Sequence, residues 1–590
     1  MCGIVGYVGE RDAAPLIVAS LKRLEYRGYD SCGVATVHNG KIWIRKDRGK
    51  IEDVERKIHL ADLPGEIGFG HTRWATHGKV SRINSHPHTD CKGDIAVIHN
   101  GIIENFSELK RALKRKGHKF RSETDTEVMA HLIEEKLRSG LDLEESVRKA
   151  MNMVKGRSAI IAAERHFPGI VAARTGSPLI LGVGRGEYFV ASDVPAFLDY
   201  TRKVMYLDDG EMVVVKDGMK FTRIADGERI KKRIITIDWD ATQAKKGKHK
   251  HYMIKEIVEQ KETIMRAINQ DEKEIKTVSR EINKAFGVFL TGCGTAGKVC
   301  QTGEYIFSRI ANKHVNYVVS SEFPSYKHFL TKKTLLIAVS QSGETADVLE
   351  AVKVAKEMGV KIISLVNVKG STLDRQSDIT FLIKAGPEKA VASTKATTAQ
   401  LAILYLLAYA CRGKLDEGKT LLLETASKIN DMLNPRYEER IKKLAKNIFR
   451  KKNIYIIGRS LNYPMALESS IKIMEVSYIH AQGFAGGELK HGPIALIGKG
   501  SPCVVLTAND GTNNAIIGNA MEVKARGGFI IGVGPKRNHV FDYWIKTPNV
   551  GSASPIVNII PVQLLAYHLG VLRGCDIDQP RNLAKSVTVE

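Results

Sequence analysis

The 590-residue chain contains few cysteines, and they are not arranged in pairs. Its eight cysteines show no Cys-x-x-Cys spacing. Neither a disulfide framework nor a zinc site of cysteine pairs is therefore predicted, and a reducing compartment is favoured. A signal peptide pattern is also missing, because the charged residues 10–12 stand where an apolar segment would be needed. We therefore expect a cytoplasmic protein.

Long uninterrupted apolar runs are missing as well. Of the two most apolar stretches, 397–410 is too short to span a bilayer, and polar residues interrupt 556–572. Both predict buried helices, so no membrane association is expected. The net charge of +24 comes from lysines and arginines interleaved with acids, without a basic block that carries aromatics. Nucleic-acid binding is therefore not predicted, and attraction of small anionic substrates is the favoured meaning.

The chemistry that is present begins at Cys2. If Met1 is removed, one residue carries both a thiol and a free α-amine. The pKa of such an amine, about 7.7–8.0, makes it a usable general base near neutral pH. The β-branched, glycine-containing segment 4–9 predicts a strand that would hold this terminus in place.

Three polar segments of the N-terminal region are unsuited to a core. In the segment 70–78, Arg73 has the geometry for a bidentate pair with a carboxylate, and Trp74 is large enough to close over a small ligand. Asn100 and Gly101 follow a buried strand and predict either an oxyanion hole or a turn. The acids of 123–127 stand just before a helix. This position predicts either helix caps or partners of a substrate amine.

Several potential metal ligands lie close together in this region. They are His71, His77, His86, His88 and Cys91. Their spacing fits no standard ligand pattern, so no metal site is predicted.

Five segments in this order resemble the glutaminase domain of the N-terminal-nucleophile amidotransferases: residues 1–4, 26–31, 71–78, 99–105 and 123–127. The resemblance implies an α+β fold with four αββα layers and glutamine hydrolysis by Cys2, with Asn100 and Gly101 as the oxyanion hole. It further implies a glutamine site at Arg73 for the α-carboxylate, Asp125 for the α-amino group, Trp74 as a gate, and the neighbouring Thr76 and His77.

An internal repeat organises the C-terminal half. Residues 288–295 parallel 454–460. The apolar segments 335–339 and 359–363 parallel 503–507 and 527–531 at a common offset of 168 (503 − 335 and 527 − 359). Each copy alternates apolar strands with helices, which predicts two α/β doubly wound parallel sheets. Ligands on such sheets bind at the carboxyl ends of the strands.

The two copies differ in the loops at that edge. Residues 340–345 combine hydroxyls with a glycine before a helix, which predicts an anion site or a simple helix cap. The aligned loop 508–511 contains Asp510 and no serine, so phosphate is expected on the first copy only. The second copy supplies Lys472 and Glu475, which share one helix face either as acid–base residues or as a surface ion pair.

These loops, the segment 488–493 and the tail 578–590 resemble the paired sugar isomerase (SIS) domains of the glutamine–fructose-6-phosphate aminotransferases. One departure is Ala296, where many members have serine. The resemblance implies a fructose 6-phosphate site formed by Thr295, Ser340, Gln341, Ser342, Thr345, Val391, Ser393 and Ala584. It implies a catalytic set of Glu475 for proton transfer, Lys472 for its support, His491 from a neighbouring subunit for ring opening, and Lys585 for a Schiff base.

The resemblance covers nearly the whole chain and implies a complete reaction. The amide nitrogen of L-glutamine would pass, as ammonia in a closed passage, to D-fructose 6-phosphate, giving D-glucosamine 6-phosphate and L-glutamate. No metal, flavin or nucleotide cofactor is implied, and a homodimer through the SIS domains is expected. The alternatives are an amidotransferase acting on another sugar phosphate and a sugar-phosphate-binding regulator, which would not need Cys2, Glu475 or Lys585.

Domain boundaries follow from the same comparison. We predict a glutaminase domain at 2–225, a linker and connecting helix at 226–275, SIS domains at 276–415 and 446–580, and a tail over the sugar site at 581–590.

Overall fold

A computed structural model describes residues 2–237 and 246–588. Three expectations concern residues outside these ranges: the removal of Met1, the linker residues 238–245, and the last two tail residues, 589–590. The chain divides into two compact units, Met1–Ala241 with Ala584–Glu590, and Thr242–Leu583.

The N-terminal unit is built on two antiparallel sheets. Its strands are β1 (Gly3–Val8), β2 (Ser31–His38), β3 (Lys41–Arg48), β4 (Ile67–Arg73), β5 (His88–Thr89), β6 (Ile95–Gly101), β7 (Ser158–Glu164), β8 (Ile170–Thr175), β9 (Ile180–Val183), β10 (Tyr188–Ala191), β11 (Lys203–Tyr206), β12 (Glu211–Val215), β13 (Met219–Arg223), β14 (Arg229–Ile230) and β15 (Ile235–Thr236). Its helices are α1 (Ala13–Leu24), α2 (Ile51–Ile58), α3 (Phe106–Arg115), α4 (Glu127–Arg138) and α5 (Leu143–Met151). Within the described residues the sheet orders are β15-β11-β9-β10-β1-β4-β2-β3 and β14-β13-β12-β8-β7-β6-β5.

Alternation along the strands separates the layers of this unit. In β1, Ile4 and Val8 face the second sheet, whereas Val5 and Tyr7 pack in the cluster that contains α1. This is the two-residue period of a strand whose two faces are both buried. Helices α3 to α5 cover the outer face of the second sheet. The predicted αββα arrangement is therefore confirmed.

The C-terminal unit contains two parallel sheets. Its strands are β16 (Gly287–Gly292), β17 (Asn316–Val319), β18 (Thr334–Ser340), β19 (Lys361–Val366), β20 (Ile379–Leu382), β21 (Asn453–Gly458), β22 (His480–Ala485), β23 (Pro502–Leu506), β24 (Phe529–Gly534) and β25 (Tyr543–Lys546). Its helices are α6 (Tyr252–Val258), α7 (Gln260–Ile268), α8 (Glu272–Lys284), α9 (Gly294–Ile306), α10 (Ala346–Glu357), α11 (Thr372–Gln376), α12 (Lys395–Cys411), α13 (Leu415–Met432), α14 (Pro435–Ile448), α15 (Tyr463–Ser477), α16 (Asn513–Lys524) and α17 (Ser554–Leu572).

The internal repeat is visible in the strand orders. The sheets read β17-β16-β18-β19-β20 and β22-β21-β23-β24-β25, which is the same order in each copy. Separate apolar clusters cover one face of each sheet, and one large cluster that includes α12 and α17 covers the other faces. The predicted pair of doubly wound parallel sheets is confirmed.

One helix of the described residues is long and apolar enough to cross a membrane. It spans Gly551–Leu572, and 89% of its most apolar window is buried inside the protein. Helix α12 is buried along nearly its whole length as well. Both stretches that were predicted to be buried helices therefore lie within the chain's own core.

The connecting segment differs in detail from the sequence prediction. The sequence predicts one connecting helix within 226–275, but α6 ends at Val258 and α7 begins at Gln260. The Asp578 carboxylate accepts hydrogen bonds from Tyr252 N (2.8 Å) and Met253 N (2.9 Å) at the start of α6. The local sequence around α6 contains no sign of this cap, because the capping residue is more than 300 positions away.

Candidate active sites

Strand pairing places Cys2 beside the end of β4. Gly3 lies opposite Thr72 in the antiparallel register, so the preceding Cys2 comes level with Arg73, one residue before Trp74. Trp74 N–H donates to Cys2 Sγ (3.2 Å), and the thiol lies 3.5 Å from Trp74 O. Burial raises the pKa of the Cys2 thiol, and the Trp74 N–H and Arg73 oppose this shift only in part. The thiol therefore needs a base to act as a nucleophile.

Asn100 and Gly101 close the other side of Cys2, at the end of β6. Asn100 Nδ2 donates to Cys2 O (2.9 Å), while its Oδ1 lies 3.1 Å from His71 Nε2. An amide nitrogen has two hydrogens, so a second donor remains at Nδ2. Gly101 has φ +128°, and an added Cβ would lie 1.8 Å from Arg157 O, so only glycine fits.

A buried histidine network supports Asn100. The rings of His71 and His86 are stacked 4.0 Å apart, and His99 N–H donates to His86 Nδ1 (3.3 Å). His99 itself lies between Thr126 Oγ1 (3.0 Å) and Ser158 Oγ (3.1 Å). Burial lowers the pKa of His71 to about 3, so its ring is neutral. The sequence analysis considered His71 and His86 only as potential metal ligands and missed this supporting role.

The loop after β4 wraps around the Arg73 side chain. Arg73 is buried, and its guanidinium donates to His77 O. The Asp30 carboxylate accepts from Ala75 N (2.8 Å), and Asp30 N donates to Arg73 O (2.9 Å). Asp30 therefore fixes the entrance of this loop. It lies in the motif 26–31, but the sequence analysis assigned it no role.

The other predicted glutamine-site residues of this loop are more open. Trp74 and His77 are half-buried and Thr76 is exposed. The His77 ring packs edge-on against Phe106 at 5.3 Å.

Asp125 is buried and does not cap the following helix. Its Oδ2 accepts from Ile103 N (2.8 Å), and its negative charge stabilises the positive charge of Arg73. The backbone before the helix is instead held by Glu127, which accepts from Arg121 N and Ser122 N, both at 2.7 Å. Of the two alternatives for this acidic segment, the structure gives the cap-like role to Glu127 and places Asp125 near the Arg73 charge.

In the first copy of the repeat, residues 340–345 form a compact turn between β18 and α10. Ser340 Oγ accepts from Gly343 N (3.0 Å) and lies 3.0 Å from Thr345 Oγ1. The acid of this loop turns away, since the Glu344 carboxylate accepts from Thr372 N and Thr372 Oγ1 at 2.7 and 2.8 Å. The predicted phosphate loop therefore presents hydroxyls and a helix N-terminus, while its own acid, Glu344, is directed at Thr372.

The equivalent loop in the second copy uses its acid for structure. Asp510 accepts from Arg309 of the first copy at 2.9 Å.

Gln341 and Ser342 remain half-buried in the first loop, where Gln341 O accepts from Asn367 N (3.1 Å).

Helix α15 carries three charged residues on one face. Lys472 is fully buried, with Nζ 2.6 Å from Glu475 Oε2 and 3.4 Å from Glu468 Oε1. Burial opposes the charge of Lys472, but the two carboxylates prevail and raise its pKa. Burial raises the pKa of Glu468 to about 7. The sequence analysis missed Glu468, although its spacing of four from Lys472 places it on the same helix face.

This group joins residues of both copies. Thr295 Oγ1 donates to Glu468 Oε1 (3.1 Å). Ser393 Oγ donates to Glu388 (3.0 Å), and the negative charge of Glu388 contributes to the raised pKa of Lys472. Val391 N donates to Asp578 O (3.0 Å). Thr295 follows β16 at the same edge as the 340–345 loop follows β18, because these two strands are parallel neighbours.

Three further residues are predicted at the sugar site. His491 is exposed in a turn after the short helix Glu488–Lys490. Ala584 and Lys585 belong to the tail segment that groups with the N-terminal unit. Their predicted roles at the sugar site stay predictions.

Comparison with known proteins matches both parts of the chain. A glutamine amidotransferase domain family matches residues 71–199, and the SIS domain family matches 281–410 and 447–573. The chain is 46% identical over 599 residues to the glutamine–fructose-6-phosphate aminotransferase (isomerizing) of Pyrococcus horikoshii and 45% identical over 602 residues to that of Thermococcus kodakarensis. These alignments cover all of both chains.

A solved structure agrees with the C-terminal unit. The C-terminal domain of glucosamine-fructose-6-phosphate aminotransferase from Francisella tularensis is 32% identical, with a TM-score of 0.54, and the match covers 57% of this chain and 99% of that one. The folds and matches define a glutamine amidotransferase domain joined to paired SIS domains. More specifically, the chain belongs to the glutamine–fructose-6-phosphate aminotransferase (isomerizing) family.

Proposed function

We propose that this protein transfers the amide nitrogen of L-glutamine to D-fructose 6-phosphate and isomerises the product to D-glucosamine 6-phosphate, releasing L-glutamate. The observation that carries the proposal is the end-to-end similarity to enzymes of that name at 46% identity. The geometry around Cys2 and Lys472 supports it residue by residue.

In the first half-reaction, Cys2 Sγ attacks the side-chain amide carbon of glutamine. The free α-amine of Cys2 takes the thiol proton once Met1 has been removed, and ammonia leaves with the formation of a thioester that water hydrolyses. Asn100 Nδ2 and Gly101 N stabilise the oxyanion. Arg73 pairs with the α-carboxylate of glutamine and Asp125 with its α-amino group, while Trp74, Thr76 and His77 border the site.

In the second half-reaction, the 340–345 loop binds the phosphate group. Hydroxyls and backbone N–H groups at the start of α10 are suited to a dianion. Lys585 condenses with the C2 ketone of the open-chain sugar and releases water, and ammonia then displaces the Lys585 amine to give the ketose imine. Glu475 then removes the C1 proton and returns it to C2, which converts the ketose imine to the aminoaldose. Lys472 holds the Glu475 carboxylate in position.

The remaining roles rest on the family match. His491 assists ring opening in the site of a neighbouring subunit, which fits its exposure on one chain. Lys585 forms a Schiff base with the ketone. We infer a homodimer through the SIS domains and a cytoplasmic location. Light scattering on the purified protein, at concentrations above and below that of the assay, tests the dimer.

Product analysis with glutamine and fructose 6-phosphate, each omitted in turn, tests the activity. Equimolar glutamate and glucosamine 6-phosphate are expected. Cys2→Ala abolishes both products, and ammonia at high concentration then restores only the amino sugar. Glutamate formation without an amino sugar would contradict the acceptor and favour another sugar phosphate. No glutamate at all would overturn the proposal as a whole.

A further inference from the structure

Four side chains with atoms that can ligate a metal converge in the N-terminal unit, outside the residues predicted to bind glutamine. Cys91 follows β5, His118 lies in the loop after α3, and His131 and Glu134 stand one turn apart on α4. One ligand atom from each lies within 4.8 Å of all the others. The two histidines and Glu134 are buried, whereas Cys91 is partly exposed.

The separations between these atoms match a tetrahedral metal site. Cys91 Sγ lies 3.7 Å from His118 Nδ1 and 3.7 Å from His131 Nδ1, and the two Nδ1 atoms are 3.3 Å apart. Bond lengths of about 2.3 Å to sulfur and about 2.0–2.1 Å to nitrogen place tetrahedral ligands about 3.3–3.6 Å apart. Glu134 Oε2 lies somewhat closer, at 2.8 and 3.0 Å from the two Nδ1 atoms.

Hydrogen bonding on the far side of His118 fixes its tautomer. His118 Nε2 lies 2.8 Å from Glu135 Oε1, so the ring carries its proton on Nε2. In the neutral ring, Nδ1 then points a lone pair at the Glu134 carboxylate. Protons can bridge Nδ1 of each histidine to Glu134, whereas a cation at the centre would be held by both Nδ1 atoms, Glu134 and the Cys91 sulfur together.

The surroundings hold the ligands as supporting carboxylates and cations do in metal centres. Glu135 orients His118 in the manner of a carboxylate–histidine–metal triad. Arg138 pairs with the other oxygen of Glu134, which leaves Oε2 directed at the centre. A thiolate and a carboxylate together balance the charge of one divalent ion.

We propose that Cys91, His118, His131 and Glu134 form a structural zinc site. One sulfur, two imidazole nitrogens and one carboxylate oxygen suit zinc, and four protein ligands close the coordination shell. The site would join the β5 loop to α4, which begins two residues after Asp125. It would therefore brace the glutamine-binding segment without contacting glutamine.

Metal analysis of the full-length protein without a histidine tag tests the proposal. About one zinc per chain is expected after purification without added metal, or after zinc titration of chelator-treated protein. Cobalt(II) in its place should give intense visible bands and a thiolate-to-cobalt charge-transfer band. Cys91→Ser should remove the charge-transfer band and weaken zinc retention at least 10-fold, whereas the control Cys575→Ser should change neither.

A second variant distinguishes loss of a zinc ligand from misfolding of Cys91→Ser. His131→Asn preserves a polar group near the Nδ1 position, and it should lower zinc retention while the circular dichroism spectrum stays unchanged. Wild-type protein that binds less than a tenth of an equivalent of zinc during titration would overturn the proposal. So would a cobalt spectrum that keeps its charge-transfer band in Cys91→Ser.

Discussion

The ammonium group of Lys472, fully buried on α15, lies 2.6 Å from a carboxylate oxygen of Glu475. The side chain of Glu475 is 23% exposed. One end of the pair is therefore enclosed in the core, while the other reaches an accessible surface. A surface ion pair, the alternative interpretation of this spacing, does not describe Lys472.

Glu475→Gln removes the proposed proton carrier and keeps its shape. Synthesis of glucosamine 6-phosphate should fall by about 10²–10⁴-fold, the range for loss of a general acid–base group. Glutamine hydrolysis should continue, because Cys2 belongs to the other unit. Amino-sugar and glutamate assays on the same samples measure both. The control Glu522→Gln, whose carboxylate pairs with Lys490 near the surface, should retain activity, and unchanged synthesis in Glu475→Gln would contradict the assignment.

Lys472→Met leaves two carboxylates without their shared cation. Removal of one partner of a buried ion pair costs about 3–5 kcal/mol of unfolding free energy. Denaturant unfolding of the full chain measures this loss. Adding Glu468→Gln should recover part of this loss, because the fully buried carboxylate of the pair is then replaced by an uncharged amide. A double variant no more stable than Lys472→Met would contradict this coupling.

His71→Phe keeps a flat ring against His86 but removes the hydrogen bond to Asn100. The Asn100 amide then loses its fixed orientation. Glutamine hydrolysis should fall about 10²-fold or more, the usual effect of losing one oxyanion donor. Ammonia-dependent synthesis should be unchanged, and a kcat rather than a KM effect would separate this positioning role from a binding role. Equal loss of both activities would indicate a general folding defect instead.

The same histidine makes stability depend on pH. The pKa of His71 is about 3 in the folded protein, against about 6.5 when unfolded. Between these values the unfolded chain binds the extra proton, so stability is full above pH 6.5 and is lost as the pH falls. The slope is about 1.4 kcal/mol per pH unit for each such histidine. Denaturant unfolding from pH 7.5 to 5 should show a smaller slope for His71→Phe than for the wild type, and identical slopes would show that His71 is not the cause.

Gly343→Ala tests the phosphate loop. Gly343 has φ +66°, and an added Cβ would lie 2.1 Å from Ser371 Oγ. The turn must therefore distort, which displaces the Ser340 and Thr345 hydroxyls. The KM for fructose 6-phosphate should rise at least about 10-fold, the effect of losing one charge-assisted hydrogen bond. A Cβ added at Gly511, the aligned position in the second copy, would meet no atom within 4 Å. Gly511→Ala is therefore the matched control and should leave this KM unchanged.

Much of the fold followed from local patterns. The strand predicted over 4–9 and the repeated strand-loop pattern of the C-terminal half were readable because each depends on the composition and burial of the element itself. The break between α6 and α7 was not readable. The cap that begins α6 comes from Asp578, and no local rule connects positions so distant.

The candidate sites divide in the same way. Cys2, Asn100 and Arg73 stand in short motifs, so the sequence predicts them directly as site residues. Asp30, His71 and Glu468 were missed as participants, because their roles come from contacts with Ala75, Asn100 and Lys472 across strands or turns. Cys91 was considered for a metal only with its neighbours in sequence, whereas its structural neighbours are His118 and His131.

The sequence by itself determined the chemistry available to this protein: a cysteine at position 2, a hydroxyl-rich loop before a helix, and a repeat that makes two parallel sheets. Only the tertiary structure decided which groups act together. Burial keeps His71 neutral. The folded chain also directs Glu344 at Thr372, places Lys472 between two acids, and brings Cys91 close to the histidines 27 and 40 positions away. Chain folding sets these distances, and hydrogen bonding, charge and metal affinity all depend on distance.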